Sequence, residues 1–75
     1  MTPQKLTENL AKILRGARLA QGISLNQFSK ASGLSRMSLS RYENGEGLPT
    51  LYSACLMANA LGLSLDEMCG WEEGD

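Results

Sequence analysis

Two arginines, a serine and a methionine fall on one side of a predicted helix near the middle of the chain. Arg36, Met37, Ser40 and Arg41 cluster there at about 100° per residue. An arginine can donate two parallel hydrogen bonds to O6 and N7 of guanine, a serine hydroxyl can bond to a base edge, and an apolar group can lie against a thymine methyl. The spacing therefore favours a helix face that reads base pairs, although an ordinary surface helix with two exposed arginines would look the same.

The other side of this helix is suited to packing on a core. Ser35, Leu39 and Tyr42 cluster on that side at the same helical spacing. Ser35 is a favourable N-cap, and the helix is predicted to run to about Glu43.

The element that must position this helix comes directly before it in the chain. Ser24 can cap a short helix, and Gln27 completes an S-x-x-Q capping box. Gly33 follows the last residue of that helix, where a left-handed backbone is common and glycine adopts it most easily. Phe28 is expected to be the main core residue of this helix. The stretch therefore predicts two short helices joined by a tight turn.

Capping signals predict three further helices. Each begins at a hydroxyl N-cap: Thr2 to about Gln21, Thr50 to Gly62, and a short one from the capping box at Ser64. Residues 44–49 read as a loop, and no run of alternating β-branched residues indicates a strand. The sequence predicts one all-α domain over residues 1–71, followed by a short acidic tail at 72–75.

The charges are divided between the two halves of the chain. All seven basic residues lie in residues 1–43 against two acidic ones, which gives that half +5. Residues 44–75 carry six acidic residues and no basic one, which gives −6, although the net charge of the whole chain is only −1. Because the local field governs phosphate binding, the distribution is compatible with a cationic nucleic-acid face and an acidic opposite end.

Several classes of function are disfavoured by composition. The sequence has no histidine, and Cys55 and Cys69 make neither a ligand cluster nor a disulfide framework, so no metal or other cofactor is expected. Without a phosphate-binding glycine loop or convergent carboxylates, neither an enzyme nor a small-molecule site is expected. No signal peptide is visible, and no apolar run approaches the ~18 residues of a membrane span, so a cytoplasmic protein is expected. Cys55, in mid-helix, is expected to be buried.

Three motifs stand in the order typical of one family. Ser29, Gly33 and Leu39 are followed by Y-E-N-G-x-x-x-P-T, and then by A-x-A-L-G-L-S-L-D-E. The chain from about Leu10 to Trp71 resembles phage repressors and Cro-like regulators, the XRE or lambda-repressor-like group. The resemblance implies a compact five-helix DNA-binding domain with a helix-turn-helix at helices two and three.

The resemblance also implies roles for particular residues. A basic residue in helix one commonly pairs with a glutamate late in the recognition helix, and Arg18 and Glu43 occupy those positions. The family commonly has a phosphate-binding glutamine where this chain has Leu25, and a basic loop residue where it has Glu46, so backbone amides are expected to replace them. The implied phosphate contacts lie at the ends of helices two and three and in the loop: Ser24, Asn26, Ser35, Ser38, Asn44 and Gly45.

In the resembling family the last helix commonly makes a two-fold contact between subunits. Leu65, Met68 and Trp71 are the candidates for that contact, and closing the monomer's own core is an equally good role for them. The expected protein is a transcriptional regulator that binds a pseudo-palindromic duplex operator as a homodimer. An antitoxin or anti-regulator that binds another protein is the alternative. The end of the chain directly after the fifth helix leads us to expect no effector-binding domain, and therefore control by concentration or by another protein.

Overall fold

The computed structural model describes residues 1–71, which form five α-helices and no strand. The helices are α1 (Pro3–Ala20), α2 (Leu25–Ser32), α3 (Arg36–Glu43), α4 (Leu51–Leu61) and α5 (Leu65–Cys69). The predicted all-α, five-helix architecture is confirmed, with α2 and α3 as the helix-turn-helix pair. The predicted acidic tail at 72–75 lies outside the described residues.

Each helix begins where the sequence places a cap. The five N-cap hydroxyls accept a hydrogen bond from the backbone N–H three residues later: Thr2, Ser24, Ser35, Thr50 and Ser64. Both predicted capping boxes form, because Gln27 Oε1 accepts from the Ser24 amide at 2.7 Å and Glu67 Oε1 accepts from the Ser64 amide at 2.9 Å.

The cap of α5 depends on pH. Hydrogen bonds from Ser64 lower the pKa of Glu67. The cap is therefore fully present above the ordinary pKa of a glutamate, and it is lost as the pH falls through the lowered pKa.

The core lies where α1 and α2 meet the other three helices. Helix α1 packs against α3 and α5, α2 packs against α3 and α4, and α4 also contacts α5. The largest fully buried side chains come from all five helices: Leu14, Phe28, Leu39, Met57 and Met68. Phe28 therefore has the central role predicted for it, and Met57 serves in packing.

Helix α4 differs from its prediction on its outer face. Cys55 is exposed rather than buried, because it lies on a side of α4 that no other part of residues 1–71 covers. Met57, about 200° around the helix from Cys55, is fully buried instead.

Both cysteines, Cys55 and Cys69, are free thiols. Cys69 is half-buried. Burial raises the pKa of its thiol, and the negative charge of Asp66 raises it further.

Gly70 brings the end of α5 close to α1. Its φ is +66°, and a Cβ there would lie 3.0 Å from Ile13 Cδ1 and 3.1 Å from Asn9 Cβ. The Asn9 side chain also donates from Nδ2 to the Cys69 carbonyl at 3.2 Å. The absence of a side chain at Gly70 therefore allows α5 to close the core against α1.

Gly70→Ala is expected to destabilise the protein more than Gly62→Ala. Both glycines have positive φ, which costs an alanine about 1–2 kcal/mol, but a Cβ at Gly62 meets nothing within 4 Å. The crowding at Gly70 adds about 1–3 kcal/mol. Urea unfolding of the two variants measures the difference, and equal losses would show that α5 moves away from α1 at little cost.

Candidate nucleic-acid interface

The two faces of α3 divide largely as the sequence predicts, although Ser35, expected on the core side, is exposed. Leu39 is fully buried in the core and Tyr42 packs against it half-buried. Arg36 and Arg41 are exposed, and Met37 keeps 77% of its surface exposed. Ser40 lies half-buried at the edge of the outer face, where its Oγ accepts a long hydrogen bond of 3.4 Å from Asn44 Nδ2. An outer face of two guanidinium groups and one flexible apolar side chain results.

A hydroxyl network fixes the turn between α2 and α3. Ser29 Oγ donates to the Leu34 carbonyl at 2.6 Å, and the Leu34 amide donates to Ser32 Oγ at 3.2 Å. Ser32 is buried, and Gly33 between these partners has φ +79°. Of these residues, only Ser29 was singled out from the sequence, as a small residue, and Ser32 was not. The available signal was the tendency of serine hydroxyls near helix ends to bond to nearby backbone groups. The network sets the angle at which α2 presents α3.

The predicted Arg18–Glu43 pair forms and ties α1 to the end of α3. Arg18 Nε donates to Glu43 Oε2 at 2.8 Å, and Arg18 Nη2 donates to Glu43 Oε1 at 3.0 Å. The side chains are only 14% and 7% exposed. The remaining Nη1 donates to the Ile23 carbonyl at 3.1 Å, so one guanidinium also holds the loop before α2. A bidentate arginine–carboxylate pair of this kind is stronger than an ion pair joined by a single hydrogen bond.

The hydrogen bond to Glu43 raises the pKa of Arg18, and this effect exceeds the opposing effect of burial. An arginine with a raised pKa contributes its stabilisation fully at every pH below its ordinary value. Arg18 therefore keeps its positive charge throughout the neutral and mildly alkaline range. Because Arg18 balances its charge, the Glu43 carboxylate at the end of α3 would repel a nearby phosphate less than an unpaired carboxylate would.

The polar groups proposed for phosphate contact are already partly engaged at the helix ends. Ser24 Oγ accepts from the Gln27 amide, and Ser35 Oγ accepts from the Ser38 amide at 3.1 Å and donates to Ser38 Oγ at 3.0 Å. Asn26 is exposed in the first turn of α2. The first backbone N–H groups of a helix carry partial positive charge. These two helix N-termini therefore remain suitable for an anion, with the caps holding the amides in position.

The structure does not support one of the phosphate contacts predicted for the loop after α3. The amides of Asn44, Gly45 and Glu46 donate to carbonyls of Ser40, Tyr42 and Arg41 respectively, at 3.0, 3.2 and 2.9 Å. Gly45 also faces α1, because a Cβ there would lie 3.8 Å from Thr7. These amides close α3 instead of facing outward, so a phosphate contact by the Gly45 amide is not supported. The exposed side chain of Asn44 remains a candidate.

Arg41 lies along the same loop. A Cβ built on Gly47 would be 3.4 Å from Arg41 Nη2, so the glycine leaves room for the guanidinium.

The three residues proposed for a subunit contact have different environments. Leu65 and Trp71 are exposed, but Met68 is only 1% exposed. Met68 points from α5 into the core, where α5 packs against α1 and α4. It therefore closes the monomer's own core, which was the second of the two roles considered for it. The subunit contact, the other role left open for Met68, is not supported, because the monomer's own core already covers this side chain.

Within residues 1–71 no group of three or more acidic residues and cysteines is placed to hold a metal ion. None of the described helices is long and apolar enough to cross a membrane.

Comparisons with known proteins agree with this geometry. The helix-turn-helix family HTH_3 matches residues 8–68. The chain is 38% identical over 66 residues to the cryptic phage CTXphi transcriptional repressor RstR of Vibrio cholerae serotype O1, a match that covers 88% of this chain and 55% of RstR. The chain thus spans about half the length of that relative. The restriction-modification controller protein C.AhdI of Aeromonas hydrophila matches in structure with a TM-score of 0.75 and 28% identity, over 80% of this chain and 91% of C.AhdI.

Proposed function

The chain belongs to the helix-turn-helix family HTH_3, and on that premise we propose that it is a transcriptional regulator that binds duplex DNA sequence-specifically. A relative that covers most of this chain is named as a transcriptional repressor, and a similar structure is named as a controller protein. The proposed activity is accordingly regulation of transcription, without catalysis.

The outer face of α3 is the observation that carries this proposal. Arg36, Met37 and Arg41 face outward, while Leu39 on the same helix is fully buried. A helix of this kind fits the major groove, where arginine reads guanine and an apolar side chain contacts the thymine methyl. In this arrangement Ser40 supplies a hydroxyl at the edge of the same face.

Phosphate contacts would position α3 on the duplex. The N-termini of α2 and α3, with Ser24, Asn26, Ser35 and Ser38, and the side chain of Asn44 are the groups proposed for these contacts. Such contacts fix register and orientation but carry little sequence information. Because they displace counterions, binding should weaken steeply as salt concentration rises.

Two copies of the chain are proposed to bind one operator. A homodimer of helix-turn-helix domains presents its two recognition helices one turn of DNA apart, ~34 Å, and so selects a pseudo-palindromic site. This arrangement doubles the number of base contacts without enlarging the domain.

Selection of bound duplexes from a random library is the test of this function. We expect an enriched pseudo-palindrome with half-sites about one helical turn apart, containing guanines that the α3 arginines can contact. A protein in which Arg36 and Arg41 are both alanine is the matched control and should enrich no site. Absence of any duplex preference at low salt, together with a stable complex with another protein recovered without DNA, would favour an anti-regulator instead.

A further inference from the structure

Glu46 places a carboxylate beside the end of α3, the proposed recognition helix. The Glu46 amide donates to the Arg41 carbonyl at 2.9 Å, and the preceding amide, that of Gly45, donates to the Tyr42 carbonyl at 3.2 Å. The chain thus folds back on the last turn of α3, while the Glu46 side chain is exposed. These two bonds fix the backbone of Glu46 next to Arg41, a residue proposed to read bases.

The charge of Glu46 is not balanced by a neighbouring cation, in contrast to that of Glu43. Glu43 is only 7% exposed and receives two hydrogen bonds from Arg18. Within residues 1–71, which contain every lysine and arginine of the chain, that pair is the only salt bridge. Of the two acidic residues at the end of α3, Glu46 is therefore the one whose charge acts outward.

The loop that carries Glu46 offers little to offset its carboxylate. The amides of Asn44, Gly45 and Glu46 all donate to carbonyls of α3, so they are not free to bind an anion. The guanidinium of Arg41 lies along the same loop, where its Nη2 would be 3.4 Å from a Cβ at Gly47, but it forms no salt bridge with Glu46. Arg41 is thus left available for DNA, with a negative charge next to it.

DNA bound at α3 would bring phosphates close to this charge. The major groove is about 12 Å wide and has a phosphate backbone on each side. A loop that turns back at the end of a helix in that groove therefore comes near one of the two backbones. Charges interact appreciably within the Debye length, which is about 8 Å at physiological ionic strength. We expect the Glu46 carboxylate to repel the phosphates over such a distance.

We propose that Glu46 limits the affinity of this protein for DNA of every sequence by repelling the phosphate backbone. Phosphate contacts supply almost all of the affinity for non-specific DNA. With part of that affinity cancelled, they hold the protein only weakly on their own, and the base contacts of α3 decide where it remains bound. This inference rests on the proposed function, because it requires that α3 bind duplex DNA.

Glu46→Gln tests this role by removing the charge while keeping nearly the same shape. Fluorescence anisotropy compares the selected operator with a scrambled duplex of equal length and composition. At low salt the variant should bind both duplexes roughly twofold more tightly per subunit, the effect of one charge acting across water at about 8 Å. Glu46→Lys doubles the change in charge, so its gain should be roughly fourfold. The gain from Glu46→Gln should shrink as salt is added, because ions screen the repulsion.

Asp66→Asn is the corresponding control, because it removes the same charge from a different part of the surface. Asp66 is exposed in the first turn of α5, and α5 packs on α1 and α4. This variant should bind both duplexes as the original protein does. Circular dichroism melting of all variants checks that they fold, as expected for substitutions at exposed positions.

The comparison of the two duplexes distinguishes repulsion of phosphates from a contact with a base. A glutamate can accept a hydrogen bond from N4 of cytosine in the major groove. If Glu46 made such a contact, Glu46→Gln would weaken binding to the operator and change the preference at one position. That result would overturn the proposal, whereas an equal gain on both duplexes supports it.

The rate of association gives a second, independent measurement. Charges at the rim of an interface act mainly on the association rate and on its salt dependence. In stopped-flow measurements Glu46→Gln should associate faster with both duplexes at low salt, with little change in the rate of dissociation. A gain that appears only in the dissociation rate and does not depend on salt would overturn the electrostatic role of Glu46.

The possible outcomes separate this proposal from the proposed function. An operator-binding protein whose affinity is unchanged by Glu46→Gln, or is raised equally by Asp66→Asn, overturns the role of Glu46 and leaves DNA regulation untouched. A protein that prefers no duplex, but binds all of them more tightly after Glu46→Gln, supports the repulsion and contradicts sequence-specific regulation. A protein that binds no duplex at low salt, with or without the substitution, contradicts both.

Discussion

Replacing Arg18 with alanine is expected to lower the free energy of unfolding by about 3 kcal/mol, because it leaves a largely buried carboxylate without its partner. Glu43 is only 7% exposed and receives two hydrogen bonds from Arg18. The same change removes the bond from Arg18 to the Ile23 carbonyl. In a domain of this size the melting temperature should fall by about 15 °C. Thermal and urea unfolding measure the loss.

Arg15→Ala is the control for the loss of one positive charge from α1. Arg15 is exposed on the same helix, so its removal should change stability by no more than about 0.5 kcal/mol. Adding Glu43→Ala to Arg18→Ala should recover part of the loss, because the unpaired carboxylate is then gone. Equal melting of Arg18→Ala and Arg15→Ala would mean that the ion pair contributes nothing to the fold.

Replacing Arg41 with alanine is expected to weaken binding to the selected operator by about 1–3 kcal/mol for each half-site and to relax specificity at one position. The reason is that a guanidinium reads guanine through two parallel hydrogen bonds that water cannot replace with the same selectivity. Arg41 is exposed on α3 and lies beside Gly47, so its removal should leave the core intact. Fluorescence anisotropy with the operator and with single-base variants measures both effects.

Arg15→Ala again supplies the matched control, since it removes the same charge from a surface outside α3. It should leave the sequence preference unchanged and alter only the affinity common to all duplexes. If Arg41→Ala also weakened every sequence equally and reduced the salt dependence, Arg41 would be a phosphate contact instead of a base contact.

Local signals in the sequence determined the helices and their ends. Each N-cap hydroxyl bonds to an amide three residues away, and each of the glycines at positions 33 and 62 ends a helix with a positive φ. These interactions involve neighbours in the chain, so they can be predicted without knowing the fold. The division of α3 into a buried side with Leu39 and an outer side with two arginines follows in the same way from helical spacing.

The Arg18–Glu43 pair spans 25 positions and was predicted only through the family resemblance. Spacing alone does not bring α1 to the end of α3, because that contact depends on how two helices pack. The turn network of Ser29, Ser32 and Leu34 is local, but the geometry that satisfies its bonds exists only once α2 and α3 have packed together.

Burial and availability were decided by the tertiary structure. Cys55 is exposed although its place in the middle of α4 led us to expect burial, and Met68 takes the core position that was one of the two roles left open for it. An apolar residue is buried only if another element covers its side of the helix, and the sequence of one helix does not say which sides are covered. The amide of Gly45 is occupied because α3 ends in a tight turn against α1. Helical periodicity thus set which residues share a face, whereas the packing of the five helices decided which face meets the core and which is left for a partner.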